Sequence, residues 1–315
     1  MNENLSTTSS FVKSEAVSNN GMVATKDKLS TEAGLQILEL GGNAIDAGVA
    51  ACLAVGVVEP ESSGIGGGGY MTFQVGSEGG VIGFPMRGPL SGKPDMYELT
   101  GESSVGSFGW AGVKNDENIH GYKSIAVPGC IAGLLEAHSR FGKIPLKEVV
   151  APAVKLAREG FYPEWFTLYK FASLSSMLLR YEELGNTFMP SGTLPFGGID
   201  GPFSLKQTDL ANILESIGKG GADAFYRGEI TEHIVKDIKN NDGILSMEDF
   251  DQYKPFYWDK GLEFKYRDKI IRVPKFACAG ITSAMTLKTL SGFDINKLGH
   301  NSTEMLHAYI SSARM

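Results

Sequence analysis

Residues 43–73 read NAIDAGVAACLAVGVVEPESSGIGGGGYMTF, and the fold turns on how this stretch divides. Asn43 and Asp46 stand three apart, the pattern of a capping box, so they open a helix that the alanine-rich run carries to about Val57. That helix is nearly all apolar and is expected to be buried on most sides. Behind it, Gly64-x-Gly66-x-x-Gly69 has the spacing of a dinucleotide-binding fingerprint. The fingerprint works only when a strand precedes it and a helix opens from it, because the pyrophosphate sits on the helix N-terminus. Here a helix precedes, and YMTFQVGSEGGVIGF alternates like a hairpin turning at Gly79-Gly80. No Lys-Ser or Lys-Thr pair follows, so a phosphate-binding P-loop fails as well. The glycines read instead as a close backbone crossing in the core, where any Cβ would clash. Glu61, Ser62 and Ser63 are the side chains in the loop able to do chemistry.

Upstream, Met22–Ala24 reads as a short buried strand and Ser30–Leu40 as a helix stopped by Gly41-Gly42. Downstream, VPGCIAGLLEAHSRFGKIP is a helix to Phe141 with Gly142 as a left-handed stop. LKEVVAPAVKLAREGF is another helix, with Pro152 near its first turns and Gly160 at its end. Residues 161–207 show little regularity, with turn signals at SGTLPFGGIDGP. Helices follow from Asp209 to about Ile217, from Glu229 to about Lys239, and behind Ser246-x-x-Asp249. LEFKYRDKIIRVP is a hairpin turning at Arg267-Asp268, and Ile281–Leu290 is helical. A last helix, STEMLHAYISSARM, is still running where the chain stops, with His300 ahead of a cap at Asn301 or Ser302.

A length of 315 residues suits one large domain or two small ones, and 42% hydrophobic with 21% charged residues is ordinary for a globular protein. Twenty-nine basic against 36 acidic residues give a net charge of -7, which disfavours nucleic acid and anionic membrane surfaces as partners. The 40 glycines have no period, so collagen and solenoid readings fail, and they read as tight turns and helix ends of a layered structure. Cys52, Cys130 and Cys278 lie far apart and form no CxxC pair, which suggests neither a zinc site nor a disulfide framework. The polar residues 1–20 read as a disordered lead-in without a secretory signal, and the charge-free run Ala47–Val58 is too short to span a bilayer. A cytoplasmic location is expected. His120, His138, His233, His300 and His307 show no metal-ligand spacing, so neither a metal nor a cofactor is called for.

Three blocks then carry a family likeness. They are Gly21–Tyr70, above all GGNAIDAGVAA followed by VVEPESSGIGGGGYM; VPGCIAGLLEAHSRFGKIPLKEVVAPAVKLAREGF; and GADAFYRGEITEHIV with GILSMEDFDQYKP and LGHNSTEMLH. In this order they resemble the γ-glutamyltranspeptidase family of N-terminal-nucleophile hydrolases over nearly the whole chain. The resemblance implies an α+β fold, a four-layer αββα sandwich, incomplete in this chain. It implies a precursor that cleaves itself and exposes a threonine at the small subunit's N-terminus. That threonine is the nucleophile, with its own amine or a water as general base. The reaction moves a γ-glutamyl group from glutathione or a similar amide to water or an amine. It passes through an acyl-enzyme that needs oxyanion stabilisation. The family's threonine lies beyond the segment matching LGHNSTEMLH, and this chain ends at Met315. Residues 21–315 are therefore expected to be large-subunit-like, with no catalytic residue of their own and a small subunit as partner.

One substrate contact is implied within this chain. Family members carry an arginine after the second glycine-flanked strand that binds the donor's α-carboxylate, and Arg87 in GFPMRGPLSGKPDMY falls on that position. A guanidinium offers a planar, permanently charged, two-pronged grip on a carboxylate. Without the resemblance, Arg87 reads as a solvated loop residue. Gly88 and Pro85 depart from the glutamate or alanine and the aspartate of many members, which leaves open an amidohydrolase or acylase with another substrate. Ala277, Cys278 and Ala279 depart from the family's serines and paired glycines. Cys278 before a helix is a candidate thiol nucleophile, weighed against ordinary packing. Cys52 and Cys130 read as core. Lys265, Arg267, Lys269 and Arg272 alternate with apolar residues, as a half-exposed strand pair does. The other reading of the whole is a truncated, non-catalytic homologue that exposes an apolar sheet face and serves as an interaction module.

Overall fold

The computed structural model of the protein describes residues 15–103, 110–195, 202–275 and 278–314. Most of the lead-in read at 1–20 and the departure at Ala277 lie outside the described residues. In chain order, the first elements are α1 (Lys28–Glu39), α2 (Ala44–Val58), β1 (Gly69–Val75), β2 (Glu78–Phe84), β3 (Leu99–Ser103) and β4 (Ala111–Val113). Then come α3 (Cys130–Phe141), α4 (Leu146–Glu159), α5 (Trp165–Ser173), α6 (Ser175–Leu178) and α7 (Glu182–Phe188). They are followed by α8 (Thr208–Tyr226), α9 (Glu229–Asn240), α10 (Met247–Asp251), β5 (Phe256–Trp258), β6 (Leu262–Tyr266) and β7 (Lys269–Val273). The last helices are α11 (Ala279–Leu290), α12 (Ile295–Leu298) and α13 (Thr303–Ala313). The fold is α+β. Among the described residues the strands form three small sheets, ordered β1-β2-β5, β3-β4 and β6-β7. The chain clusters into two compact units. One holds Val23–Gly69 and Phe84–Pro255; the other holds Tyr70–Gly83, Phe256–Met315 and the segment before Val23.

In the larger unit, α1 begins ahead of the expected Ser30 because Asp27 caps it, its carboxylate accepting from Leu29 N at 2.7 Å and Ser30 N at 3.3 Å. No strand forms at Met22–Ala24; Val23 instead packs on α1, where a Cβ at Gly34 would come within 2.8 Å of it. The Asn43–Asp46 capping box opens α2 as expected. Asp46 is fully buried and also accepts from Lys143 N at 3.0 Å, tying the start of α2 to the turn after α3. Gly142 in that turn is extended, with φ −65° and ψ 151°, not left-handed. Its glycine is required by space, since a Cβ would lie 2.5 Å from the His138 carbonyl and 2.9 Å from Asp46 Oδ1. Helix α2 packs on α1 and α4, and α4 on α8. Gly48, Cys52 and Gly56, at helical spacing, lie outside the buried face of α2, so Cys52 is exposed and not core. Residues 161–207 carry α5 to α7, shorter helices that the weak periodicity concealed. Helix α8 runs past Ile217 to Tyr226, with a kink at Gly221, where φ is +68°.

In the smaller unit, β1 and β2 turn at Gly76-Ser77, with Gly76 at φ +59°, and Gly79-Gly80 lie inside β2. Gly80 serves close approach: a Cβ there would lie 2.5 Å from the carbonyl of Trp258 on β5. Strands β2 and β5 pair antiparallel through Val81↔Trp258, Ile82↔Tyr257 and Gly83↔Phe256. The hairpin β6-β7 turns at Arg267-Asp268 as expected, with Tyr266 opposite Lys269. Gly80 to Gly83 on β2 are buried. Large exposed apolar side chains lie on strands and helices alike: Leu262 on β6 and Ile270 on β7, Ile281 and Met285 on α11, and Leu306, Tyr309 and Ile310 on α13. Ser302 caps α13 through Met305 N at 3.0 Å. Among the described residues no helix is long and apolar enough to cross a membrane.

Phe84 and α3 show the packing constraint in the larger unit. A Cβ at Gly133 would overlap the Phe84 ring, whereas a Cβ at Gly48 would meet nothing within 4 Å. Gly133→Ala should therefore cost about 1–3 kcal/mol by overpacking. Gly48→Ala should be neutral or stabilising by up to ~1 kcal/mol through helix propensity. Denaturant unfolding of the two variants checks both signs.

Candidate functional site

The glycine run sits between α2 and β1, the order opposite to that of a nucleotide fingerprint. Its members differ in their reasons. A Cβ at Gly68 would lie 2.5 Å from the Phe84 carbonyl and 2.7 Å from Met86 N, so here the backbones cross at close quarters. Gly64 and Gly66 have open space around them and do not need to be glycine for that reason. The carbonyl of Gly67 accepts from Gly129 N at 2.8 Å and Cys130 N at 2.9 Å. Helix α3 has no side-chain cap, and this carbonyl takes that place.

The crossing sets Arg87 one residue beyond Met86. Arg87 N donates to Val127 O at 3.2 Å, and Val127 N donates back to Arg87 O at 2.8 Å. The side chain is half-buried, with Nη2 donating to Lys254 O at 2.6 Å and the guanidinium 4.8 Å from the centroid of the Tyr253 ring. Arg87 is therefore held in place by its neighbours. Tyr253 and Lys254 are the contacts that sequence reading missed; Lys254 lies 167 residues away along the chain, and no local pattern marks either.

At the head of the loop Glu59 and Glu61 are both buried, with side chains 6% and 2% exposed. Lys26 Nζ reaches Glu59 Oε2 at 2.6 Å and Glu61 Oε1 at 3.9 Å, and lies 4.4 Å from the Phe166 ring centroid. Thr167 donates to Glu61 Oε1 at 3.3 Å. Attraction to the two carboxylates, led by the hydrogen bond to Glu59, raises the lysine above its ordinary range and keeps it charged. Glu61 thus belongs to an ion cluster whose carboxylates are buried and whose lysine is half exposed. Ser62 and Ser63 are exposed, their amides donating to Glu59 O at 3.0 Å.

A cleft of about 430 Å³ in the same unit is lined by Glu136, His138, Asp223, Tyr226, Arg227 and Tyr253 among others, and not by Arg87. Its strongest charges are already engaged: Arg227 with Asp223 and Asp251, Glu136 with Arg140. Among the described residues no group of three or more His, Cys, Asp or Glu is arranged to hold a metal ion. Cys278 caps α11, its sulfur 3.4 Å from Gly280 N. Near it the buried Tyr70 hydroxyl is pushed up, first by burial and then by the Cys278 thiol, so it stays protonated and offers no general base. Cys130 is half-buried, and burial with the neighbouring Cys52 pushes its thiol up to about 12.

Three comparisons with known proteins bear on this site. The family model described as Gamma-glutamyltranspeptidase matches residues 30–315. The chain is 37% identical over 254 residues to Glutathione hydrolase 3 of Arabidopsis thaliana, covering 79% of this chain and 36% of that protein. It is 34% identical over 298 residues to the Acylase ACY 1 proenzyme of Pseudomonas sp. (strain V22), covering 94% of this chain and 52% of that protein. A structure of Helicobacter pylori gamma-glutamyltranspeptidase matches with a TM-score of 0.85 and 28% identity, covering 96% of this chain and 83% of that one. The chain belongs to the gamma-glutamyltranspeptidase family of N-terminal-nucleophile hydrolases, and the relatives it is similar to include glutathione hydrolases, their proenzymes and an acylase proenzyme. It spans from about a third to about half the length of these curated relatives.

The thiols give a direct check on the local chemistry. With its thiolate suppressed, Cys130 should alkylate with iodoacetamide at pH 8 far more slowly than an ordinary thiol, and normally once unfolded. Peptide mapping by mass spectrometry follows each cysteine. Rapid labelling of Cys130 in the folded chain would contradict its environment.

Proposed function

We propose that residues 21–315 are the large-subunit part of a γ-glutamyltransferase or hydrolase that acts on glutathione or related γ-glutamyl amides. Arg87 holds the donor's α-carboxylate. A threonine outside this chain, at the N-terminus of a small subunit, attacks the γ-carbonyl carbon. The C–N bond breaks and the amine leaves with a proton, giving an ester on the threonine. Water or an acceptor amine then attacks that ester and releases glutamate or a new γ-glutamyl amide. The observation that carries the reading is the seating of Arg87. Its guanidinium is laid on Tyr253 and fixed through Lys254, and a cation so preorganised suits a carboxylate. The three unpaired thiols support a reducing, cytoplasmic setting.

Two observations favour other readings. The likeness to an acylase proenzyme, together with Gly88 and Pro85 beside Arg87, supports a related amidase with a different donor. The exposed apolar side chains on α11 and α13 support an interaction module that has no catalytic partner.

In the completed enzyme, Arg87→Lys should raise the KM for γ-glutamyl donors at least about tenfold, because an ammonium cannot copy the two-pronged grip, while kcat changes less. Steady-state kinetics with a γ-glutamyl amide measure this, and an unchanged KM would remove Arg87 from donor binding. A second test separates enzyme from interaction module. Intact-mass analysis and N-terminal sequencing of the protein from its source should find a co-purifying polypeptide that begins with threonine. This chain alone, inert toward γ-glutamyl amides, would favour the interaction module.

A further inference from the structure

Arg87 stands on a two-segment platform with an aromatic support. The bridge between Arg87 and Val127 sets Pro85–Arg87 beside Val127–Gly129. Each segment is held by a tyrosine hydroxyl from elsewhere in the chain. Tyr253 Oη donates to Pro85 O at 2.8 Å. Tyr226 Oη donates to Pro128 O at 2.8 Å and accepts from Ala132 N in the first turn of α3 at 3.2 Å. The two rings stack, with centroids 5.7 Å apart and planes 11° from parallel. Both residues are buried, 4% and 6% exposed. The backbone leaves room for them, since a Cβ at Gly129 would overlap the Tyr253 hydroxyl and the Phe84 carbonyl.

We infer that Tyr226 and Tyr253 are positioning residues for Arg87: together they fix the height and tilt at which its guanidinium meets a carboxylate. The inference rests on the reading that Arg87 holds the donor's α-carboxylate. The chain of contact is continuous. Tyr226 orients the Val127–Gly129 segment and the ring of Tyr253; Tyr253 orients Pro85 and lies under the guanidinium. A guanidinium resting on a fixed ring is held over that ring's face, which limits the angles at which its N–H edge meets a carboxylate. Two-pronged recognition is sensitive to that angle, because both hydrogen bonds must be straight at once. Neither tyrosine needs to touch substrate for this.

The test uses ligands that no step consumes. In the protein with every segment that completes it, calorimetry gives Kd for L-glutamate and for its α-amide, which lacks the carboxylate charge. The unaltered protein should prefer glutamate, and Arg87→Gln should bring the ratio close to one. Tyr226→Phe keeps the stack but removes both of its hydrogen bonds; Tyr253→Phe keeps the ring under Arg87 but frees Pro85. Each should lower the preference about fivefold to tenfold, the scale of one or two lost hydrogen bonds, while the α-amide binds as before. Tyr253→Leu, which removes the ring, should approach Arg87→Gln. Melting curves run alongside, and if Tyr226→Phe does not fold, the two Tyr253 variants carry the test. If Arg87→Gln collapses the preference and the folded tyrosine variants keep it, the positioning role is overturned while the Arg87 reading stands. If the unaltered protein shows no preference, or Arg87→Gln retains it, the Arg87 reading itself falls and the inference with it.

Discussion

The larger unit is organised by one contact between backbones: the passage of Gly67-Gly68 across Phe84–Met86. Two polypeptide backbones come this near only where a Cβ is missing, and Gly68 supplies that condition. The consequences run outward from it. Gly67 turns its carbonyl to the amides of Gly129 and Cys130 and so opens α3 without a side-chain cap. Phe84 enters the space left by Gly133. Pro85 and Arg87 then run beside Val127 and Pro128, and the guanidinium comes to rest over Tyr253. A glycine required at the crossing explains the placement of an arginine nineteen residues later in the sequence, without any direct contact between them.

The head of the same loop is held by charge. Taking carboxylates out of water is costly, and the cost is recovered only when a counter-charge stands close. Lys26 supplies one for Glu59 and Glu61 together, while its ammonium also rests on the Phe166 ring. Oε1 of Glu59 and Oε2 of Glu61 are buried without a hydrogen-bond partner among the described residues, so the lysine's hold on the pair is the main compensation. Buried ion clusters add little net stability compared with apolar packing, but they punish rearrangement, because any shift strands a charge. A loop that must place Gly68 within a few tenths of an ångström gains more from that resistance than from added stability.

What could be read along the sequence is what depends on neighbours within a few residues. The capping boxes at Asn43–Asp46 and Ser246–Asp249 and the turn at Arg267-Asp268 are set by side chains reaching their own backbone, and the structure has all three. The misreadings share the opposite property. Gly79-Gly80 resembled a turn because glycines often make turns; a carbonyl on β5, 178 residues further on at Trp258, is what excludes a side chain at Gly80. Gly142 looked like a left-handed stop, but it is extended, and the space for a side chain there is taken by His138 together with Asp46, 96 residues earlier. Cys52 looked buried because its helix is apolar all round, yet one strip of that helix faces outward, and composition does not say which. Arg87 was reached through family likeness, while the tyrosines beneath it left no signal in local sequence.

The departures beside Arg87 sharpen the question of its donor. Pro85 offers no amide hydrogen, and what the fold uses of it is its carbonyl, held by Tyr253. A proline there also fixes φ for the residue that enters the crossing, so the substitution stiffens the approach to Arg87. Gly88 is different. A Cβ at that position would meet nothing within 4 Å, and its backbone is not left-handed, so neither space nor conformation demands a glycine. The fold tolerates a side chain beside the guanidinium, and this chain leaves one out. On the proposed reading, the carboxylate grip stands beside a position that carries no side chain. On that reading, charge recognition through Arg87 with no side chain at position 88 fits a donor recognised chiefly by its α-carboxylate, with the remainder of the amide less closely specified.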